Sequence, residues 1–297
     1  MSDAKPSVVF FGSGPVAADS LRLLEENFAI EAIVTKPTTA SEMAVTSLKV
    51  PLYTVTNKKE LEQLLAKHQF TGKLGILIDF GIIVSQPVID YFQFGIINSH
   101  FSLLPEWRGA DPITFSILSG QQKTGVSLML IDAGMDTGKL LTQKTLHIAP
   151  TTDAHELTRQ LIRLSNELLA EYIPPYLSGT LKPRSQPHPD RATYSRKLTK
   201  EDGILDFNKP ADQLEREIRA FIQWPKSRTY LAGKDVVILH ATVDAKSSGP
   251  IGKVYKTENK KIGVYTSKGS LIIEALKPSG KNAMSADAFL TGYGNKL

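Results

Sequence analysis

Asn98 and His100 stand two residues apart, and Asp136 lies in the glycine-flanked run Asp132-Ala133-Gly134-Met135-Asp136-Thr137-Gly138. An amide, an imidazole and a carboxylate brought to one pocket suit acyl transfer to an amine. Asn98 can donate its side-chain N–H to a developing oxyanion, and His100 can supply a second donor or relay a proton. Asp136 would orient His100 and favour its charged form. No nucleophilic side chain is demanded if the acceptor amine attacks the acyl donor directly, and the chain offers neither a cysteine nor a Gly-x-Ser-x-Gly elbow. Taken singly, each residue also has a plain structural reading. His100 could be a satisfied core histidine, Asn98 a turn amide bonding its own backbone, and Trp107-Arg108 a packed indole under a surface guanidinium.

The elements around these residues predict how they meet. Ser7 to Phe11 is a short apolar run ending in Gly12-Ser13-Gly14, with Pro15 where a helix can begin. Ile30–Val34 and Leu74–Ile78 read as further buried strands, and Leu61, Leu64 and Leu65 repeat at helical spacing between them. Ile96-Ile97 and Val126–Ile131 add strand candidates. Strands separated by helical patterns predict βαβ units and an α/β, Rossmann-like, mostly parallel sheet. If 94–98 is a strand, Asn98 and His100 share a face at its carboxyl end, where such sheets place ligands, and the loop carrying Asp136 returns to the same edge. The Gly12-Ser13-Gly14-Pro15-Val16-Ala17 run fits the loose dinucleotide fingerprint, but the second strand ends Val34-Thr35-Lys36 without the acidic residue that holds a ribose. A tight strand-to-helix turn is the preferred reading.

Asp153 and Glu156 open a helix with Leu157, Leu161, Leu164 and Leu168 on one stripe, expected to end near Pro174-Pro175. The proline-rich stretch that follows cannot continue a helix or a central strand. It marks the boundary, giving a catalytic domain over 1–181, a linker over 182–206 and a second domain over 207–297. Beyond a helical stretch at 208–221, five short alternating runs between 229 and 275 predict a small C-terminal OB-like β-barrel, a fold that often binds oligonucleotides.

Charge divides along the same line. Residues 1–181 hold 14 Lys and Arg against 18 Asp and Glu, a net −4, whereas 182–297 hold 21 against 12, a net +9. A basic C-terminal part predicts a polyanion partner there. The absence of cysteine excludes disulfides and thiolate metal ligands, and the six histidines, at 68, 100, 147, 155, 188 and 240, show no ligand spacing, so no metal is expected. No apolar run approaches the ~18 residues that span a bilayer, and the N-terminus lacks a secretory signal, so a cytoplasmic protein, monomeric and off the membrane, is expected.

The full motif is Asn98-x-His100-x-Ser102-Leu103-Leu104-Pro105-x-Trp107-Arg108-Gly109-Ala110-x-Pro112-Ile113, with the later Asp132-x-Gly134-x-Asp136-Thr137-Gly138. It resembles that of the 10-formyltetrahydrofolate-dependent formyltransferases. The resemblance implies that Asn98, His100 and Asp136 are the catalytic trio and that Ser102, Leu103, Leu104 and Pro105 contact the folate co-substrate. It further implies that Ile82, Ile83, Val84 and Asp132 help to wall the pterin pocket. Within the family the likeness is strongest to the branch that formylates the methionyl group of initiator tRNA for translation initiation. It extends through 192–198, 204–207, 219–225 and 277–285, and implies initiator methionyl-tRNA as partner. Arg191, Arg196, Lys197, Lys253, Lys256, Lys260 and Lys261 are then candidate phosphate contacts.

Two departures stand out. Where the family usually carries a basic loop after the second strand, this chain has Pro37-Thr38-Thr39-Ala40-Ser41-Glu42-Met43-Ala44. Phe101 occupies a position where a small residue is more usual. A formyltransferase acting on a sugar or nucleotide amine, and a non-catalytic RNA-binding protein, are the competing readings.

Overall fold

The structure, a computed structural model, describes residues 5–43 and 49–296. The chain forms two compact units. The first takes residues up to Pro112, then Lys123–His147 and Thr158–Arg196; the second takes Ile113–Gln122, Ile148–Leu157 and the chain from Lys197 onward. The expected linker is therefore divided at Arg196.

In the first unit, β1 (Ser7–Gly12), α1 (Pro15–Leu24), β2 (Ala29–Thr35), α2 (Ala40–Met43), β3 (Leu52–Thr54), α3 (Lys58–Lys67), β4 (Leu74–Ile78), α4 (Gln86–Tyr91) and β5 (Ile96–His100) follow in order. Next come the short β6 (Arg108–Gly109), α5 (Pro112–Leu118), which belongs to the second unit after Pro112, β7 (Lys123–Leu130), β8 (Leu140–His147), α6 (Ala154–Leu177), which belongs to the first unit from Thr158 onward, and β9 (Tyr194–Ser195). The sheet order is β3-β2-β1-β4-β5-β7-β8. From β3 to β5 every pairing is parallel, and β7 and β8 pair antiparallel. Strands β1 and β4 are apolar almost without a break because helices cover both faces of the sheet: Val8 to Phe11 and Leu74 to Ile78 are all buried. Phe11 anchors one layer, meeting Phe80 and Phe92 edge-on at 5.7 and 5.8 Å.

The chain leaves β1 toward β2 and β3, then returns to place β4 on the other side of β1, so the switch point lies between β1 and β4. The Gly12-Ser13-Gly14 turn closes there. The Ser13 N–H donates to Asp79 O at 2.8 Å, and its hydroxyl donates to Asp79 O and Phe80 O at 2.9 and 2.7 Å. A Cβ on Gly12 would come within 2.7 Å of Ala17 Cβ and 2.9 Å of Ile78 O, and Gly14 holds φ +93°. This turn is a close strand-to-helix contact.

Two expectations are corrected. Helix α6 runs through Pro174 and Pro175 to Leu177. The prolines stand in its last turn, where they lack only their own N–H groups, and their carbonyls still accept from Ser178 and Leu181. Strand β7 is antiparallel to β5, with Ile97 opposite Leu130 and His100 opposite Ser127. The loop after β7 therefore opens at the opposite edge of the sheet, where Ile131 N–H bonds Ile96 O at 2.9 Å, and reaches Asn98 by folding back along β5.

In the second unit, α7 (Ala211–Ala220) precedes β10 (Arg228–Leu231), β11 (Lys234–Asp244), β12 (Val254–Lys256), β13 (Ile262–Tyr265), β14 (Ser270–Pro278), β15 (Met284–Ser285) and α8 (Ala286–Tyr293). The sheet order is β10-β11-β14-β13-β12 with β15 on β14, all antiparallel, so the expected OB-like barrel takes the form of a curled half-barrel. Irregular register around His240 bends β11. Leu214, Ile218, Val236, Ile238, Val264, Leu271, Ile273 and Phe289 fill its core. Among the described residues no helix is long and apolar enough to cross a membrane.

Candidate active site

Strand β5 is buried throughout and presents Asn98 and His100 two residues apart on one face, 8% and 6% exposed. The returning loop delivers Asp136, which holds φ +51° and whose side chain is 17% exposed. Asn98 Nδ2 lies 3.4 Å from Asp136 Oδ1, and His100 Nδ1 lies 3.8 Å from Asp136 Oδ2. The three groups named from the sequence converge.

The ring nitrogens of His100 are not equivalent. Nε2 is 2.9 Å from the main-chain oxygen of Trp107, which can only accept, so Nε2 carries a proton. In the neutral ring Nδ1 then holds the lone pair and faces Asp136. A proton taken up there forms an ion pair with the carboxylate. Asp136 Oδ2 in turn accepts the Gly109 N–H at 2.7 Å.

The loop is pinned at its base by Leu130 N–H to Lys139 O at 2.8 Å, and a Cβ on Gly138 would fall 1.7 Å from Leu130 O. Asp132 staples it internally: its Oδ1 accepts from Gly134 N–H at 3.1 Å and from the Thr137 hydroxyl at 2.7 Å. That oxygen is thus already engaged within the loop.

The expected folate-contacting residues separate into two groups. Ser102 and Leu104 are buried, the Ser102 hydroxyl donating to Glu106 O at 2.5 Å and Leu104 packing with Met129 and Leu140. Pro105 is buried as well, and these residues shape the segment from beneath. Leu103, Ile82 and Val84 are half-buried, and Ile83 is 77% exposed. An apolar side chain so open beside the switch point is a surface on which a flat ring can lie, and Gly81 at φ +62° leads into it. Phe101 is buried.

Two residues missed in the sequence brace the site, and a third lies beyond them at the end of β4. Arg108, for which a surface guanidinium was one of the readings above, is 6% exposed and donates from Nη2 to Gln186 Oε1 at 2.7 Å. Gln186 donates to Asp136 O and Gly138 O at 2.7 and 3.0 Å. The third, Asp79 at the end of β4, has φ +49°. Crowding around its carboxyl, followed by the nearby charge of Asp111, pushes its pKa up to about 6, with Lys36 opposing. The residue keeps open surface, so bulk water screens part of this effect.

The basic candidates are all exposed except Lys261, which is half-buried and ion-paired with Glu274. Arg191 and Arg196 belong to the first unit, and Lys197, Lys253, Lys256, Lys260 and Lys261 to the second. Lys253, Lys256 and Lys260 cluster around the β12–β13 hairpin. Of the loop after β2, residues 37–43 form a 3-10 turn and the short α2, and residue 44 lies outside the described residues. A separate cavity of about 480 Å³ is lined wholly by the second unit, and Arg216 and Arg219 in its wall are paired with Asp212 and Glu215.

A mostly parallel sheet whose β5 face carries an amide and an imidazole against a loop carboxylate, followed by a curled antiparallel sheet, defines a two-domain group-transfer enzyme. Residues 9–173 match the Formyl transferase family and residues 197–294 its C-terminal domain, so the chain belongs to the formyl transferase family. It is 35% identical over 301 residues to a methionyl-tRNA formyltransferase of Myxococcus xanthus, covering 98% of this chain and 96% of that one. It is 31% identical to the enzyme of that name from Roseiflexus castenholzii, covering 94% and 93%. Among solved structures it resembles an N-formyltransferase from Helicobacter canadensis bound to folinic acid and dTDP-3-aminofucose. The TM-score is 0.66 at 19% identity, over 90% of this chain and 98% of that one. It also resembles HypX from Aquifex aeolicus with tetrahydrofolic acid, at TM-score 0.67 and 16% identity, over 96% and 47%.

Proposed function

We propose that this enzyme transfers a formyl group from 10-formyltetrahydrofolate to the α-amine of a methionyl initiator tRNA. The meeting of Asn98, His100 and Asp136 on one face of β5 carries the reading, with methionyl-tRNA formyltransferases as full-length relatives. The co-substrate supplies the formyl carbon, and the exposed Ile83 with the half-buried Ile82, Val84 and Leu103 offer apolar surface to its ring. Asn98 Nδ2 and the protonated Nδ1 of His100 stabilise the negative charge that grows on the formyl oxygen as the amine adds. Asp136 receives the proton the amine must lose, directly or through a water, and that proton passes to N10 of the folate as the bond from N10 to the formyl carbon breaks, so that tetrahydrofolate leaves and the formyl group stays on the amine. The hairpin lysines of the second unit hold the RNA backbone.

Formyl transfer to a sugar amine is the alternative, and the lack of any Lys or Arg in residues 37–44 after β2 favours it at that one point. Incubation with 10-formyltetrahydrofolate and either charged initiator tRNA or a dTDP-amino sugar decides between them. Formylmethionine at the 3′ end is expected; formylated sugar alone would overturn the proposal. Replacing Asn98 or His100 with Ala should reduce turnover ~10² to 10³-fold in a folded protein.

A further inference from the structure

Gln186 lies in the most linker-like part of the sequence, between Pro183 and Pro187, yet it is 7% exposed. Its amide nitrogen donates to the main-chain oxygens of Asp136 and Gly138, and its oxygen accepts from Arg108. The residue after Arg108, Gly109, donates its N–H to the Asp136 carboxylate. Asp136 is thus gripped at both ends, by Gln186 on its main chain and by Gly109 on its side chain, and Arg108 ties one grip to the other.

The same segment also holds the His100 anchor. Trp107 N–H donates to Thr193 Oγ1 at 2.9 Å and Arg108 N–H to Thr193 O at 2.9 Å, while Trp107 O accepts from His100 Nε2. At its near end, Arg184 and Leu140 exchange two main-chain bonds, of 2.7 and 2.9 Å. Both Asp136 and Trp107 have left-handed backbone, at φ +51° and +53°. Non-glycine residues persist there only where their surroundings over-determine them. The staple within the Asp132 loop does not reach the body of the protein, whereas Gln186 does.

We infer that residues 184–195 form a strap that sets the geometry of Asp136 and His100, with Gln186 as a positioning residue acting through Asp136. The inference rests on the catalytic reading of Asp136 given above. Small displacements of such groups cost about 10² in rate. Gln186→Glu keeps the side-chain length and an acceptor for Arg108 but loses both donated hydrogen bonds; Gln186→Leu removes the amide without adding charge.

The test measures kcat and KM for both substrates, thermal melting, and a double-mutant cycle with Asp136→Asn. We expect each Gln186 variant to lose about 10- to 100-fold in kcat, to keep both KM values within about threefold, and to melt near the parent. On the Asp136→Asn background the further loss should be under about twofold, because the two changes disturb one group. Near-parental kcat in a folded Gln186 variant, or a loss that multiplies in full on the Asp136→Asn background, would overturn the strap while leaving the catalytic reading intact. Full activity of Asp136→Asn alone would overturn the catalytic reading and the strap with it.

Discussion

The two nitrogens of His100 have different tasks, and amide substitutions can separate them. Nε2 is anchored on Trp107 O, and Nδ1 faces Asp136 at 3.8 Å. An asparagine amide reaches about as far as Nδ1, and a glutamine amide about as far as Nε2. His100→Asn therefore keeps a donor beside Asn98 and gives up the anchor, whereas His100→Gln does the reverse. Both lose the ring, whose protonated form at 3.8 Å from Asp136 would attract the carboxylate by roughly 4 kcal/mol at an effective dielectric of about 20. That corresponds to about 10³ in rate as an upper figure. His100→Gln also loses an oxyanion donor, a further ~10². Single-turnover formylation with saturating co-substrate and charged tRNA, quenched in acid and read as formylmethionine, should place both variants at least about 10² below the parent, with His100→Gln about 10- to 100-fold slower than His100→Asn. A glutamine variant as fast as the asparagine one would refute the assignment of Nδ1 as the working nitrogen.

Three further outcomes follow from the geometry. With a folded pKa near 6 against 3.8 unfolded, ionising Asp79 costs stability above about pH 6, and the cost fades on acidification and is gone below about 3.8; Asp79→Asn should raise Tm at pH 8 and leave it unchanged near pH 3.5. Gly138→Ala would press a Cβ to 1.7 Å from Leu130 O, so the loop must shift; formylation should drop ~10²-fold or more while circular dichroism stays near parental. Removing Lys253, Lys256 and Lys260 should flatten the log–log salt dependence of tRNA binding by roughly one unit per lysine that contacts phosphate, whereas Lys261→Ala, whose charge Glu274 already engages, should change it least.

The sheet was legible where its strands are buried on both faces, because β1, β2 and β4 then need apolar residues at nearly every position. Strand β3 is a three-residue edge, and β8 turns polar after Leu141, so neither has a periodicity to read. The direction of β7 left no trace either: Val126, Leu128 and Met129 fit parallel and antiparallel neighbours equally well. Asn98, His100 and Asp136 were legible because their chemistry lies in their side chains. Arg108, Gln186 and Thr193 were not, because they act through the carbonyls and N–H groups of other residues, which every sequence contains. The state of Asp79 depends first on how the fold screens its carboxyl from water and then on Asp111, which is distant in sequence and close only in the fold.

The strap shows why composition misleads here. Prolines at 183, 187 and 189 exclude helix and central strand, and from that a linker was expected. The same rings restrict φ in the unfolded chain, which lowers the entropy lost when the segment is laid along a surface. A stretch that needs no sheet partners of its own and little entropy to order is suited to bridging Leu140, Asp136 and Trp107. Each of these offers main-chain groups that no regular element satisfies. The physical signature that distinguishes the two cases is a single polar side chain among the prolines with nowhere in solvent to go, and Gln186 is that residue.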